Sequence, residues 1–132
     1  VDPQIVAVRI EGEAMKRILL IDRDASVMQR VGLQCLEREV GVVMAENLCE
    51  GVRALLQESV SLIVADAALL RLTPREHATL FERVAPQVPV AVVFRPDAAL
   101  EARVAYELLG FKTLTRPLAV EDLLEKAVVD VG

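Results

Sequence analysis

Short apolar runs alternate along this chain with longer stretches in which apolar residues recur three and four positions apart. The runs fall at Arg17 to Ile21, Gly41 to Ala45, Leu62 to Ala65, Val90 to Phe94 and Phe111 to Leu114. The third and fourth are almost wholly apolar, the pattern of strands buried on both faces. Between them, Met28, Val31, Gly32, Cys35 and Leu36 follow helical spacing, and Val120, Leu123, Leu124, Ala127 and Val128 repeat it near the C-terminus. Asn47 with Glu50 opens a helix carrying Leu48, Val52, Leu55 and Leu56. Thr73-Pro74-Arg75-Glu76 reads as a capping box with proline at the first helical position. A fourth helix, beginning near Asp97 as cap, is expected to bury Leu100, Val104 and Leu108 and to stop at Gly110. Five strands alternating with five helices predict an α/β domain, a parallel sheet covered on both sides.

Residues 1–14 precede this rhythm, and 15–132 form the domain. Ile5 to Ile10 is rich in β-branched residues, so the N-terminal arm is expected to supply an extra edge strand or to pair with another chain.

A length of 132 residues fits one domain, and mean hydropathy of +0.41 is ample for a core. The formal charge of -5 argues against a partner recognised through its phosphate backbone, so no direct contact with nucleic acid is expected. No apolar run approaches the roughly 20 residues that span a bilayer, which gives no membrane role. Cys35 and Cys49 lack CxxC spacing and sit in apolar periodic segments, where buried, reduced thiols are expected, as in a cytoplasmic protein. His77, the one histidine, is expected at a surface or half-buried position without a role.

Two runs end in a carboxylate. Asp22 follows Ile18-Leu19-Leu20-Ile21 and Asp66 follows Leu62-Ile63-Val64-Ala65. Parallel neighbouring strands would deliver both acids to the carboxyl rim of the sheet, where open α/β folds place their chemistry. The bland alternative makes Asp66 a cap for the turn that follows and Asp22 a solvated turn residue.

Together with Thr115-Arg116-Pro117-Leu118 after the last strand, these stretches carry a resemblance. From about Lys16 to Val129 the chain resembles the receiver domain of two-component response regulators, which implies a flavodoxin-like (βα)5 doubly wound sheet of strand order 2-1-3-4-5. It implies that Asp66 is the phosphoacceptor in a phosphorelay, taking a phosphoryl group from a sensor histidine kinase or phosphotransfer protein. It further implies Mg²⁺ held by Asp22 and Asp66, a basic residue at Arg116, and a cis peptide before Pro117.

The site departs from the family pattern. Arg23 stands where the family places a second acid; its guanidinium would repel a metal and is expected to hydrogen-bond Asp22 and Asp66 instead. Asp24 offers a displaced carboxylate at the entrance to a helix. Phe94 replaces the hydroxyl residue that ends the fourth strand, and Thr113 stands at the aromatic switch position of the fifth. Arg116 exchanges the family's lysine for a planar fork. Weak or absent phosphorylation and signalling by protein contact are therefore expected. The expected contact face is the fourth helix, fifth strand and fifth helix, serving a homodimer, with Arg103, Tyr106, Glu107, Lys112 and Glu125 as candidate contacts. A rival reading is a flavin or nucleotide binder on the same scaffold, although acids stand where a phosphate needs amide donors. No nucleophile, base and oxyanion-donor set suggests an enzyme.

Overall fold

The computed structural model describes residues 16–129, with side chains described through residue 126. The elements are β1 (Arg17–Ile21), α1 (Ala25–Glu37), β2 (Gly41–Ala45), α2 (Leu48–Gln57), β3 (Leu62–Asp66), a 3₁₀ turn (Ala67–Leu69), α3 (Pro74–Val84), β4 (Val90–Phe94), α4 (Leu100–Glu107), β5 (Lys112–Thr115) and α5 (Val120–Val129). The extra strand expected from residues 5 to 10 lies outside the described residues.

All strand pairs are parallel, in the order β2-β1-β3-β4-β5. Successive strand residues feed opposite layers. Ile18, Leu20, Leu62, Val64, Ala91, Val93 and Leu114 join Met28, Val31 and Cys35 of α1 and Val120 and Leu123 of α5. Leu19, Ile21, Ile63, Ala65, Val92 and Phe94 pack instead with Phe81 of α3, Tyr106 of α4 and Phe111. Two-sided burial explains the unbroken apolar runs. Gly51 of α2 is a close-approach glycine: a Cβ there would stand 2.5 Å from Ile21 Cδ1, so a side chain at position 51 would require Ile21 or the helix to shift.

Local signals set the helix starts. Asp24 caps α1 by accepting from the Ser26 and Val27 N–H groups, and Asn47 caps α2 by accepting from the Glu50 N–H. Thr73 and Glu76 form both halves of a capping box on α3, with Pro74 in the first turn. The α1 carbonyl end is tied to α5 by Arg38 and Glu121 at 2.8 Å.

Several expectations fail for tertiary reasons. α4 starts at Leu100, not at Asp97; its cap Ala99 makes no side-chain hydrogen bond, and Asp97 pairs with Arg95 in the preceding loop. The face predicted to be core is outside: Leu100 is 73% exposed and Leu108 81%, with Val104 also exposed. The aromatic Tyr106 takes the buried position and turns the helix over. Leu36 and Leu56 are exposed as well, because they fall at the edge of stripes whose centres reach the sheet. Cys35 is buried and reduced, but Cys49, in the first turn of α2, is exposed. His77 is completely buried.

Candidate functional site

At the carboxyl rim, the parallel register of β1 and β3 sets Ile21 against Ala65, so the acids that follow them emerge side by side. Asp22 sits in the central crevice at 2% exposure, its backbone N–H donating to the Ala45 carbonyl. Asp66 ends β3 and is half-buried. β5 runs beside β4 with Thr115 opposite Phe94, so Arg116, the next residue, is aimed back over the crevice, and its backbone N–H donates to the Phe94 carbonyl at 2.9 Å. The Arg116–Pro117 peptide is cis.

These three side chains meet. Arg116 Nη2 donates to Asp22 Oδ2 at 2.6 Å and to Asp66 Oδ2 at 3.0 Å. The other oxygens are also engaged: Asp22 Oδ1 accepts from the Asp24 N–H and Asp66 Oδ1 from the Ala68 N–H, both at 2.9 Å. Asp66 thus caps the turn after β3 with one oxygen and meets the guanidinium with the other. Burial by itself would lower the Arg116 pKa, but the hydrogen bond and charge of Asp22, with those of Asp66, outweigh it and hold the pKa above its ordinary value. The guanidinium is therefore a permanent charge, and the three groups sum to one net negative charge.

The bridge expected from Arg23 is made by Arg116. Arg23 is exposed and, among the described residues, bonds neither carboxylate, because it leads into α1 with its side chain turned to solvent. Asp24 is also outside the cluster. Its Oδ1 accepts from the Ser26 hydroxyl and the Ser26 and Val27 N–H groups, and the hydroxyl bond first, then those amides, hold its pKa below the usual carboxylate range. No group of three or more His, Cys, Asp or Glu among the described residues could hold a metal ion.

Phe94 meets Arg116 through its backbone carbonyl, while its side chain packs on the α4 side. It is buried, its ring edge-on to Tyr106 at 6.0 Å, with the Arg103 guanidinium 5.8 Å above its centroid. Thr113 is not part of the rim. Its hydroxyl donates to Glu107 Oε2 at 2.6 Å, tying β5 to the end of α4. Tyr106, expected as a surface contact, instead reaches His77, and sequence reasoning missed this pair. One signal was there: His77 stands four residues before the buried Phe81, on the inward face of α3.

No family model matches the chain. It is 30% identical over 120 residues to the transcriptional regulatory protein GlrR of Escherichia coli K12, an alignment covering 83% of this chain and 26% of that protein. It matches QseF of Escherichia coli O157:H7 to the same extent, so it spans about a quarter of these relatives' length. Among solved structures, it superposes on a CheY-like response regulator receiver domain protein from Methanospirillum hungatei JF-1 with a TM-score of 0.75 at 24% identity, over 89% of this chain and 94% of that one. The receiver domain of the sensor histidine kinase PA1611 from Pseudomonas aeruginosa PAO1, with a magnesium ion in its active-site cleft, gives a TM-score of 0.72 at 16% identity, over 90% and 99%. The fold is that of the response regulator receiver domains.

Proposed function

We propose that this chain is a receiver domain of a response regulator in a two-component system, with Asp66 at the phosphoacceptor position and a guanidinium standing where its relatives use a metal. The observation that carries this reading is Arg116 Nη2 set between the carboxylates of Asp22 and Asp66.

Phosphoryl transfer is catalysed mainly by positive charge around the moving group, because little covalent work is left for acids or bases. Magnesium needs near-octahedral oxygen ligands, and here a guanidinium cation sits on one oxygen of each carboxylate, while Asp24 is committed to a helix cap. The residues as arranged do not fit Mg²⁺. A phosphodonor would bring further negative charge to a pocket that is already net negative. Asp66 then reacts slowly, and signalling runs through protein contacts with a sensor histidine kinase or phosphotransfer protein in the cytoplasm. The exposed stripe Leu100, Val104 and Leu108 supports the face of α4, β5 and α5 as the surface for a homodimer or output partner.

Intact-mass spectrometry after treatment with acetyl phosphate tests this. The expected result is slow, substoichiometric addition of about 80 Da, one phosphoryl group, independent of Mg²⁺ and absent from Asp66→Ala. Rapid, complete, Mg²⁺-dependent modification would overturn the metal-free reading.

A further inference from the structure

α4 carries two candidate core faces and buries the one its aliphatic pattern does not favour. At 3.6 residues per turn, Val104 and Tyr106 point roughly 200° apart, so a helix that buries one exposes the other. Leu100, Val104 and Leu108 form a continuous i, i+4, i+8 stripe on the outside. On the inside, Tyr106 is the one residue of α4 that is buried. At its N-terminus this eight-residue helix has no side-chain cap, and at the other end it is held by the Thr113 hydroxyl on Glu107.

What holds Tyr106 inward is polar as well as aromatic. The Leu72 N–H donates to His77 Nε2 at 3.2 Å, which leaves the imidazole proton on Nδ1. Nδ1–H then donates to the Tyr106 hydroxyl oxygen at 3.1 Å. The two rings stack with centroids 6.1 Å apart, and Tyr106 packs edge-on to Phe111 at 5.1 Å and to Phe94 at 6.0 Å. An imidazole with no solvent exposure that lost its phenol partner would leave a ring N–H without an acceptor, a strong bias towards keeping Tyr106 in place.

We infer that the Tyr106–His77 hydrogen bond is a rotational lock on α4, which holds the leucine and valine stripe outward, and that releasing it lets the helix turn to bury that stripe. The helix is then a two-state element with an apolar face for each state, of the kind conformational switches use. Phe94 joins this lock to the site, since its carbonyl accepts from the Arg116 N–H while its ring rests on Tyr106. The inference rests on the proposed contact surface only for the purpose it gives the stripe.

The test reads the helix setting directly, with neither phosphodonor nor partner present. In the full chain, methyl NMR with a soluble gadolinium chelate compares relaxation of Leu100, Val104 and Leu108 with that of buried Leu20. The wild type is expected to show strong relaxation of all three stripe residues and none at Leu20. Tyr106→Phe keeps the ring and loses only the hydroxyl; it is expected to reduce relaxation of the stripe several-fold while the chain stays folded. His77→Leu should do the same, whereas His77→Gln, whose amide can both accept from Leu72 and donate to Tyr106, should retain the wild-type profile. A Tyr106→Phe chain with the stripe relaxed as strongly as in the wild type would overturn the lock. A failed phosphorylation experiment would leave it untouched.

Discussion

Arg116 Nη2 lies 2.6 Å from Asp22 Oδ2, a contact between residues 94 positions apart in the chain and the shortest of the hydrogen bonds in the carboxylate cluster. Asp22 is almost fully buried, and Arg116 is the cation paired with its carboxylate. Arg116→Ala is expected to destabilise the fold by roughly 3 kcal/mol, the usual cost of leaving a buried charge unpaired. Urea denaturation of the wild type and the variant measures it. The same variant frees two carboxylate oxygens, so its thermal midpoint should rise on adding Mg²⁺ while that of the wild type stays fixed.

Gly51 faces Ile21, the residue immediately before Asp22. Gly51→Ala would set a methyl group 2.5 Å from Ile21 Cδ1 and require Ile21 or α2 to shift. Overpacking costs about 1 to 3 kcal/mol, and the better helix propensity of alanine returns up to about 1 kcal/mol. The expected outcome is a lower denaturation midpoint, accompanied by chemical-shift changes at Asp22.

His77 makes stability depend on pH. Desolvation pushes its pKa below the ordinary 6.5, against smaller opposing effects of the Glu76 charge and the Thr73 backbone. The unfolded chain therefore binds the proton more readily than the folded one. Its contribution to stability is complete above pH 6.5 and is lost as pH falls through the lower folded-state value. Unfolding free energies measured between pH 7.5 and pH 5 should decline, and His77→Gln should remove that part of the slope.

Leu108 tests the orientation of α4 through stability alone. At 81% exposure it has little to lose, so Leu108→Ser is expected to change stability by less than about 0.5 kcal/mol. Were the aliphatic stripe the core face, the same change would cost several kcal/mol, as other buried-leucine truncations do. Chemical denaturation distinguishes the two.

The strands and their acids were legible because burial on both faces leaves an unmistakable apolar run, and the residue that ends it is visible by contrast. The rim juxtaposition of Asp22 and Asp66 followed from parallel order. The cation that joins them was harder to assign. Arg23 is adjacent to Asp22 in sequence, whereas Arg116 reaches it through the path of β5, and a chain reading favours neighbours over returns. α4 was misread for a related reason. With two stripes on eight residues, the deciding interaction is a hydrogen bond to a histidine 29 positions away on α3. Periodicity contains nothing of that contact.

The strict alternation by which each strand sends neighbouring side chains to opposite layers divides the interior into two compartments that share only a backbone. Packing changes under α2, α3 and α4 can accumulate without disturbing α1 and α5, apart from whatever the strands themselves transmit. A lineage could therefore remodel the α4 side for a new associate while keeping the opposite side, with its Arg38–Glu121 tie, unaltered. Paired substitutions, one in each compartment, should combine additively where paired substitutions within one compartment do not.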